Sequence, residues 1–353
     1  MPEDPVRHQY QPSDRAEVFE FLRASLPADV CARLIGQWAW KFENNPVDPQ
    51  TIDIIRIGRR LVATAIGFRV RMWAGGVECF GEARGMFLTH PEHRGQRIWK
   101  RVGALHPKDA PILFGWSMLP VGTVMDEGWI ISPVTPLLRI IDARGLIEHV
   151  THSKTLGLIG AAAGVVARAT SAPFSSKSRH RGDNIVCLDS FDERADALWK
   201  RARRPTKLMV VRDRRYLNWR YCERPDASYL LYGFQRGSEL AGFLVVRVSL
   251  NRGMRWAYLV DFLVEEHSRD VLSALVNAAL DDMRRDGVVA VTCHATDAAS
   301  RRILFRRGFF PLRRRPAVNV NRRVLPERIG LRHFESLRDW YLTMGDGDFE
   351  MVF

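Results

Sequence analysis

Apolar side chains at Ala16, Phe19, Leu22 and Leu26 recur every three or four residues, one stripe of a helix, and predict an amphipathic helix over 15–26 that Ser13 or Asp14 can cap. The same spacing returns at Ala195, Leu198 and Trp199, predicting a helix over 192–202. Apolar runs at 51–57 and 61–70 flank the turn Gly58-Arg59-Arg60, and runs at 229–234 and 240–248 flank Gly237, so each pair predicts an antiparallel hairpin. A further strand follows each hairpin, near 82–88 and 256–264, then a helix over 96–105 or 269–283, then a short apolar strand over 111–116 or 288–293. A short helix is expected next in both places, ending at Gly128-Trp129 and Gly308-Phe309. That order predicts an α/β fold of the α+β kind: a mostly antiparallel, twisted mixed sheet flanked by helices, formed twice.

Particular residues carry the same duplication. Trp40-Lys41-Phe42-Glu43-Asn44-Asn45-Pro46 is echoed 179 residues later by Trp219-Arg220-Tyr221-Cys222-Glu223-Arg224-Pro225, with an aromatic, a cation, an aromatic and a proline in the same places. Gly58-Arg59-Arg60-Leu61-Val62-Ala63 and Gly237-Ser238-Glu239-Leu240-Ala241-Gly242 keep that offset. A period far beyond the roughly 20–50 residues of solenoid repeats means two copies of a whole domain. The 353 residues suffice for two cores and a connector. Domains are expected at 1–150 and 184–325, with a linker at 151–183 and a C-terminal tail at 326–353. The apolar linker stretch 156–167 is shorter than the roughly 20 residues of a membrane-crossing helix. A docked linker helix and a basic loop at 175–181 are expected instead, and no transmembrane segment.

Arginine and lysine number 53 against 40 aspartates and glutamates, a formal net charge of +13. Such a field favours polyanions: nucleic acid, an anionic membrane or envelope precursor, or a phosphate-rich cosubstrate. Clusters such as Arg201-Ala202-Arg203-Arg204 and Arg313-Arg314-Arg315 come with neither zinc-finger spacing nor the aromatic-basic signature of RNA readers, so no specific nucleic-acid partner is expected. Cys31, Cys79, Cys187, Cys222 and Cys293 form no paired spacing for zinc or a disulfide framework; no metal centre is expected and a reducing cytoplasm is the simplest location. The N-terminus shows no basic stretch followed by an apolar run, so no targeting segment is expected. Gly345-Asp346-Gly347-Asp348-Phe349-Glu350 falls short of calcium-loop spacing and reads as an acidic tail, solvated or folded back onto the basic body.

The segment Phe87-Leu88-Thr89-His90-Pro91-Glu92-His93-Arg94-Gly95-Gln96 resembles the strand, turn and phosphate loop of the GNAT superfamily of acetyl-coenzyme A dependent N-acyltransferases. Gly58 to Ala65 resembles that family's preceding hairpin, and Gly128-Trp129 and Gly308-Phe309 its closing Gly-Phe. The likeness runs over most of 10–145 and more weakly over 185–320. It implies two tandem GNAT-like domains, acetyl-coenzyme A or another acyl-coenzyme A as cosubstrate, and direct attack by a primary amine, the acceptor being a small-molecule amine or amino sugar. A turn with outward-facing backbone N–H groups at a helix start is a ready pyrophosphate site. The resemblance assigns that role to Leu88, Thr89, Arg94, Gly95, Gln96, Arg97, Ile98 and Trp99, with the backbone at Leu88 and Thr89 facing the thioester oxygen. Arg97 stands where the family has its central glycine, and Trp99 where it has a second small residue. A left-handed backbone at Arg97 would cost about 1–2 kcal/mol; a helical one costs nothing and lets the guanidinium meet phosphate.

An attacking amine must shed a proton. Glu82, on the strand leading to the loop, is the first candidate base, with Glu78 and His90 behind it; the ordinary alternatives are a Glu82–Arg84 pair and a His90 turn cap. The tyrosine the family often uses as an acid has no counterpart, the matching positions being Val124 and Leu304. In the second copy the loop Glu265-Glu266-His267-Ser268-Arg269-Asp270 has no glycine, and its carboxylates repel a diphosphate, so a structural or substrate-shaping role is expected there. Asp261, alone in the apolar run Tyr258-Leu259-Val260-Asp261-Phe262-Leu263, is expected to pair with an arginine. The alternative to an enzyme is a noncatalytic binding protein whose clefts hold an anionic ligand or partner.

Overall fold

A computed structural model describes residues 3–47, 51–102, 111–117, 129–151, 184–266, 268–312, 318–324 and 336–347. The expected linker helix, the basic loop and Val124 lie outside them. The first copy begins with β1 (Val6–Gln9), α1 (Arg15–Ser25), α2 (Ala28–Gly36) and a π-helical turn at Ala39–Glu43. It continues through β2 (Thr51–Ile57), β3 (Arg60–Ala74), β4 (Val77–Thr89), α3 (Ile98–Val102), β5 (Ile112–Ser117), β6 (Ile130–Val134), β7 (Leu137–Ile140) and α4 (Ala143–Thr151). The second copy supplies β8 (Ile185–Leu188), α5 (Glu193–Ala202), β9 (Leu208–Val210), α6 (Arg214–Tyr221), β10 (Leu230–Arg236), β11 (Glu239–Asn251) and β12 (Met254–Val264). Helix α7 (Arg269–Arg285), β13 (Ala290–Cys293), α8 (Ala298–Arg306), β14 (Phe310–Pro311), β15 (Val318–Val324) and β16 (Trp340–Tyr341) complete it.

Local chemistry sets these boundaries. Val18, Phe21 and Leu22 bury one stripe of α1, which ends where Leu26 turns extended ahead of Pro27. The side chains of Asp192, Asp213 and Asp297 accept N–H bonds at the starts of α5, α6 and α8, each satisfying a donor the helix cannot. Helix α3 begins two residues later than expected, because Arg97 has a φ of +53° that no helix accommodates.

The strands form two mixed sheets, ordered β1-β2-β3-β4-β5-β15-β6 and β14-β7-β13-β12-β11-β10-β8. Strand β9 extends the first by pairing with β3, and β16 pairs with β9. Both sheets carry the same irregularities. Val62 is skipped between β2 and β3 as Ala241 is between β10 and β11, and Gly85 is skipped between β3 and β4 as Val260 is between β11 and β12. A bulge kinks a strand and changes its twist, so shared bulges make the copies match in shape as well as order.

The copies are not side by side along the chain. Strand β7 enters the second sheet between β13 and β14, while β15 enters the first between β5 and β6. Leu137–Ile140, expected to belong to the first domain, and Val318–Val324, expected to belong to the second, are therefore exchanged. Only Thr135 and Pro136 separate β6 from β7, and the chain crosses from one sheet to the other at that point. One continuous apolar cluster runs from Tyr10, Val18 and Trp38 to Trp219, Leu244 and Leu275, joining the copies. A smaller one, Ile55, Val62, Ala63 and Ile98, fixes α3 on the opposite face of the first sheet.

Candidate functional site

Strands β4 and β5 are parallel neighbours only over Gly81, Glu82 and Ala83, paired with Ile112, Leu113 and Phe114. Beyond that the bulge at Gly85 turns β4 away, and among the described residues no strand pairs with the β5-facing edge of β4 from Gly85 to Thr89. Gly115 stands at the apex of this opening, where a Cβ would lie 2.4 Å from the Arg84 carbonyl oxygen. Any side chain there would force the two strands apart. Leu88 and Thr89 form the open edge of β4 and are half-buried.

The turn at the end of β4 is tied down by its side chains. The His90 ring nitrogen accepts from Glu92 N at 3.4 Å, Gln96 Nε2 donates to Glu92 O at 3.2 Å, and Arg60 holds Glu92 at 2.6 Å. Arg94 reaches the Thr89 carbonyl at 3.4 Å and the Ser25 carbonyl at 3.5 Å. Gly95 and Arg97 both have positive φ, +80° and +53°. Among the described residues no acceptor takes the backbone N–H groups from Gly95 to Trp99, whereas Arg94 N, Lys100 N and Arg101 N are all paired. Five successive free donors around two left-handed residues have the form of a nest, a kind of backbone concavity suited to anions. The side chains of Gln96 and Arg97 are exposed.

Trp99 does not block the opening. Its indole N–H donates to Thr89 Oγ1 at 3.0 Å and its ring meets Phe87 edge-on at 5.3 Å. It packs with the Ile55, Val62, Ala63 and Ile98 cluster, on the side of β4 that faces β2 and β3 rather than β5.

Glu82 and His90 are not brought together. Glu82 lies in the paired part of β4, fully buried, with Arg84 Nε 2.5 Å from its carboxylate but not aligned for a hydrogen bond. Asp53, Arg69 and Arg7 complete the charged group around it, Arg7 and Arg84 both reaching Asp53, at 2.8 and 3.5 Å. Burial lifts the Glu82 carboxyl to about 7, against the pull of Arg84. Its proton is thus poised near neutrality at the closed end of the opening. His90 caps the turn and rests against Phe21, ring centres 6.2 Å apart. Glu78 is far from the opening, exposed near the β3–β4 hairpin and 3.4 Å from Arg71. Sequence reasoning passed over Gly85 and Gly115, although an isolated glycine within a strand is the usual sign of a bulge or a close backbone approach.

The second copy has the same opening, filled differently. Pairing of β12 with β13 stops at Leu259 and Cys293, and the segment from Trp340 to Gly347 runs through the gap beyond. Asp261 pairs with Arg212 at 3.0 Å, as expected, and Arg212 also reaches Asp346 at 2.6 Å. All three are fully buried. The acidic tail, expected to be solvated or folded back onto the basic body, is therefore interior at Asp346, because an arginine far away in sequence awaits its charge. In the first copy the position matching Asp261 is Met86, opposite Ile66 as Asp261 is opposite Val245. Trp116, near the end of β5, and His294, just past β13, occupy matching places beyond the last parallel pairs and meet across the copies with ring centres 6.2 Å apart.

Two helix-flanked mixed sheets, each with a bulged strand splaying from its parallel neighbour, and a nest where the first such strand ends, define a duplicated GNAT-like fold. Saccharomyces cerevisiae N-myristoyltransferase with bound myristoyl-CoA superposes with a TM-score of 0.56 at 12% identity, over 92% of this chain and 79% of that one. A GCN5-related N-acetyltransferase from Kribbella flavida gives 0.56 at 14% identity, over 92% and 72%. Another from Anabaena variabilis gives 0.55 at 11%, over 91% and 73%. At these identities the likeness is one of fold. No protein-family model and no curated protein matches the sequence. Among the described residues no helix is long and apolar enough to cross a membrane, and no cluster of histidine, cysteine or carboxylate side chains could hold a metal ion.

Proposed function

We propose that the first copy is an acyl-coenzyme A dependent N-acyltransferase site. The observation that carries this reading is the run of free N–H groups from Gly95 to Trp99, at the mouth of the β4–β5 opening, a shape and polarity fitted to a diphosphate with an extended arm behind it. The bound cosubstrate supplies an activated acyl thioester. The chain's own part is to hold the diphosphate on the nest, to line the arm with β4 from Gly85 to Thr89, and to offer backbone N–H groups near Leu88 and Thr89 to the thioester oxygen. Glu82, with its proton poised near neutrality, takes the proton of the attacking amine through water, since its own oxygens are buried. The acceptor is an amine, a small-molecule amine or amino sugar being the first class to test.

Acetyl-coenzyme A is the first donor to try, and a long-chain acyl-coenzyme A the second, because a neighbouring structure holds myristoyl-CoA. Isothermal titration of the full chain with acetyl-, octanoyl- and myristoyl-coenzyme A is expected to show micromolar binding for at least one donor and weaker binding for free coenzyme A. Absence of heat with all three at millimolar concentration would overturn the reading in favour of a noncatalytic binding protein.

A further inference from the structure

The opening of the second copy is occupied by the chain itself, in the manner of a bound peptide. Thr296 Oγ1 donates to the Trp340 carbonyl at 2.7 Å and accepts from Leu342 N at 2.9 Å, Thr296 N donates to the Leu342 carbonyl at 3.0 Å, and Thr343 bridges Ala295 in antiparallel fashion. These contacts fall on the chain just after β13. On the other wall Tyr341 donates its hydroxyl to the Phe262 carbonyl at 2.7 Å, and Thr343 donates its own to Asp261 at 2.8 Å. Helix α6 closes over the segment, Arg220 giving hydrogen bonds to the carbonyls of Gly345 and Gly347 at 2.9 and 2.7 Å. The segment thus meets the β13 side of the gap and Arg220 through its main chain, and the β12 side through the hydroxyls of Tyr341 and Thr343.

Charge selects that occupant. The groove holds Arg212, Arg220 and Asp261, two cations and one anion, all buried. Asp346 brings a second carboxylate to Arg212, its two oxygens 2.6 and 2.8 Å from the guanidinium. Without Asp346 the buried Arg212 guanidinium keeps Asp261 but loses the charge-assisted hydrogen bonds made by its second terminal nitrogen, so a segment lacking that acid is penalised. Gly345 has no room for a side chain, since a Cβ there would lie 2.0 Å from the Tyr221 hydroxyl oxygen.

We infer that the second opening is a main-chain-binding groove whose ligand is the chain's own segment Trp340–Gly347, bound in cis where the first copy takes its donor, so that the protein holds one donor per chain. The clause on donors rests on the acyltransferase reading; the groove does not. The test uses the full chain with a site-specific protease sequence placed within 326–335, cut after folding. The expected result is that the released C-terminal piece stays bound through gel filtration and exchanges slowly with a fluorescent synthetic peptide of residues 336–353. The same peptide with Asp346→Asn should compete on the order of a hundredfold less well, and the uncut chain should bind donor at one equivalent.

Prompt loss of the piece with the melting temperature unchanged would overturn the inference, as would unfolding on its release or equal competition by the Asp346→Asn peptide. Two donors per uncut chain would also sink it. A chain that binds no donor but exchanges the peptide as described defeats the acyltransferase reading alone and upholds the groove.

Discussion

Trp40 and Trp219 stack on each other with ring centres 5.0 Å apart, and each donates its indole N–H to the other's backbone carbonyl, at 2.7 and 2.9 Å. They are the leading residues of the two repeated motifs, so the contact relates the copies by a local two-fold axis. Buried indoles need a partner for their N–H, and here the repeat supplies it reciprocally. Truncating either to alanine is expected to cost about 3–5 kcal/mol. Removing both should cost less than the two losses together, by about 1–3 kcal/mol, because each truncation already breaks the shared contact. Urea unfolding of the two single variants and the double variant measures this.

Arg97 is held left-handed without being glycine. Arg97→Gly removes roughly 1–2 kcal/mol of strain but gives back a comparable amount in unfolded-chain entropy, so its stability should stay within about 1 kcal/mol of the parent. Gly95→Val, at a φ of +80°, strains the nest instead. It is expected to lose about 1–2 kcal/mol of stability and to weaken acyl-coenzyme A binding by roughly tenfold or more, as orienting one charge-assisted donor would. Thermal melts paired with titration calorimetry distinguish the two variants.

The Glu82 carboxyl is raised to about 7 from an ordinary 4.5. The folded state therefore favours its proton, and the stability associated with this group is full below about pH 4.5 and is lost as pH rises through 7. Glu82→Gln abolishes that loss. The variant should match the parent near pH 4 and exceed it at pH 8 by about 1–3 kcal/mol, while its acyl transfer falls by roughly 10²–10⁴. In the parent, kcat/KM should rise with pH through about 7. Denaturant melts across pH, with initial rates beside them, test both halves.

Gly115→Ala places a methyl group 2.4 Å from the Arg84 carbonyl oxygen, a backbone atom with nowhere to retreat. The expected cost is about 1–3 kcal/mol, together with a wider β4–β5 opening and a raised KM for the donor. Gly67→Ala, another glycine of the same sheet, has its clash at 2.9 Å with the Ala83 carbonyl, further from the opening. It should cost stability with less effect on KM.

The duplicated sheet could be read in the sequence because tryptophan, glycine and proline mark its turns in both copies at one offset. The turn after β4 was legible for a similar reason: Gly95 and the residues before it are local signals. What could not be read depends on distant pairings. Strands β7 and β15 have the composition of any short strand, and which sheet accepts them is settled by edges elsewhere. Asp346 looked like part of a solvent-facing tail because Arg212, which buries it, is 134 residues away. Helix α3 was expected too early because Gln96 and Arg97 suit a helix by type, whereas the turn imposes a left-handed backbone. Glu82 was noticed for its chemistry, but its burial among Arg84, Asp53, Arg69 and Arg7 needs four strands in register.

The exchange of β7 and β15 also governs how the molecule comes into being. Strand β5 emerges from the ribosome about 200 residues ahead of the strand that will lie beside it, on the order of 10–40 s at ordinary elongation rates. Until then its edge is an open template for other chains. The nascent first half must be kept from aggregating without its final neighbour until β15 has been made.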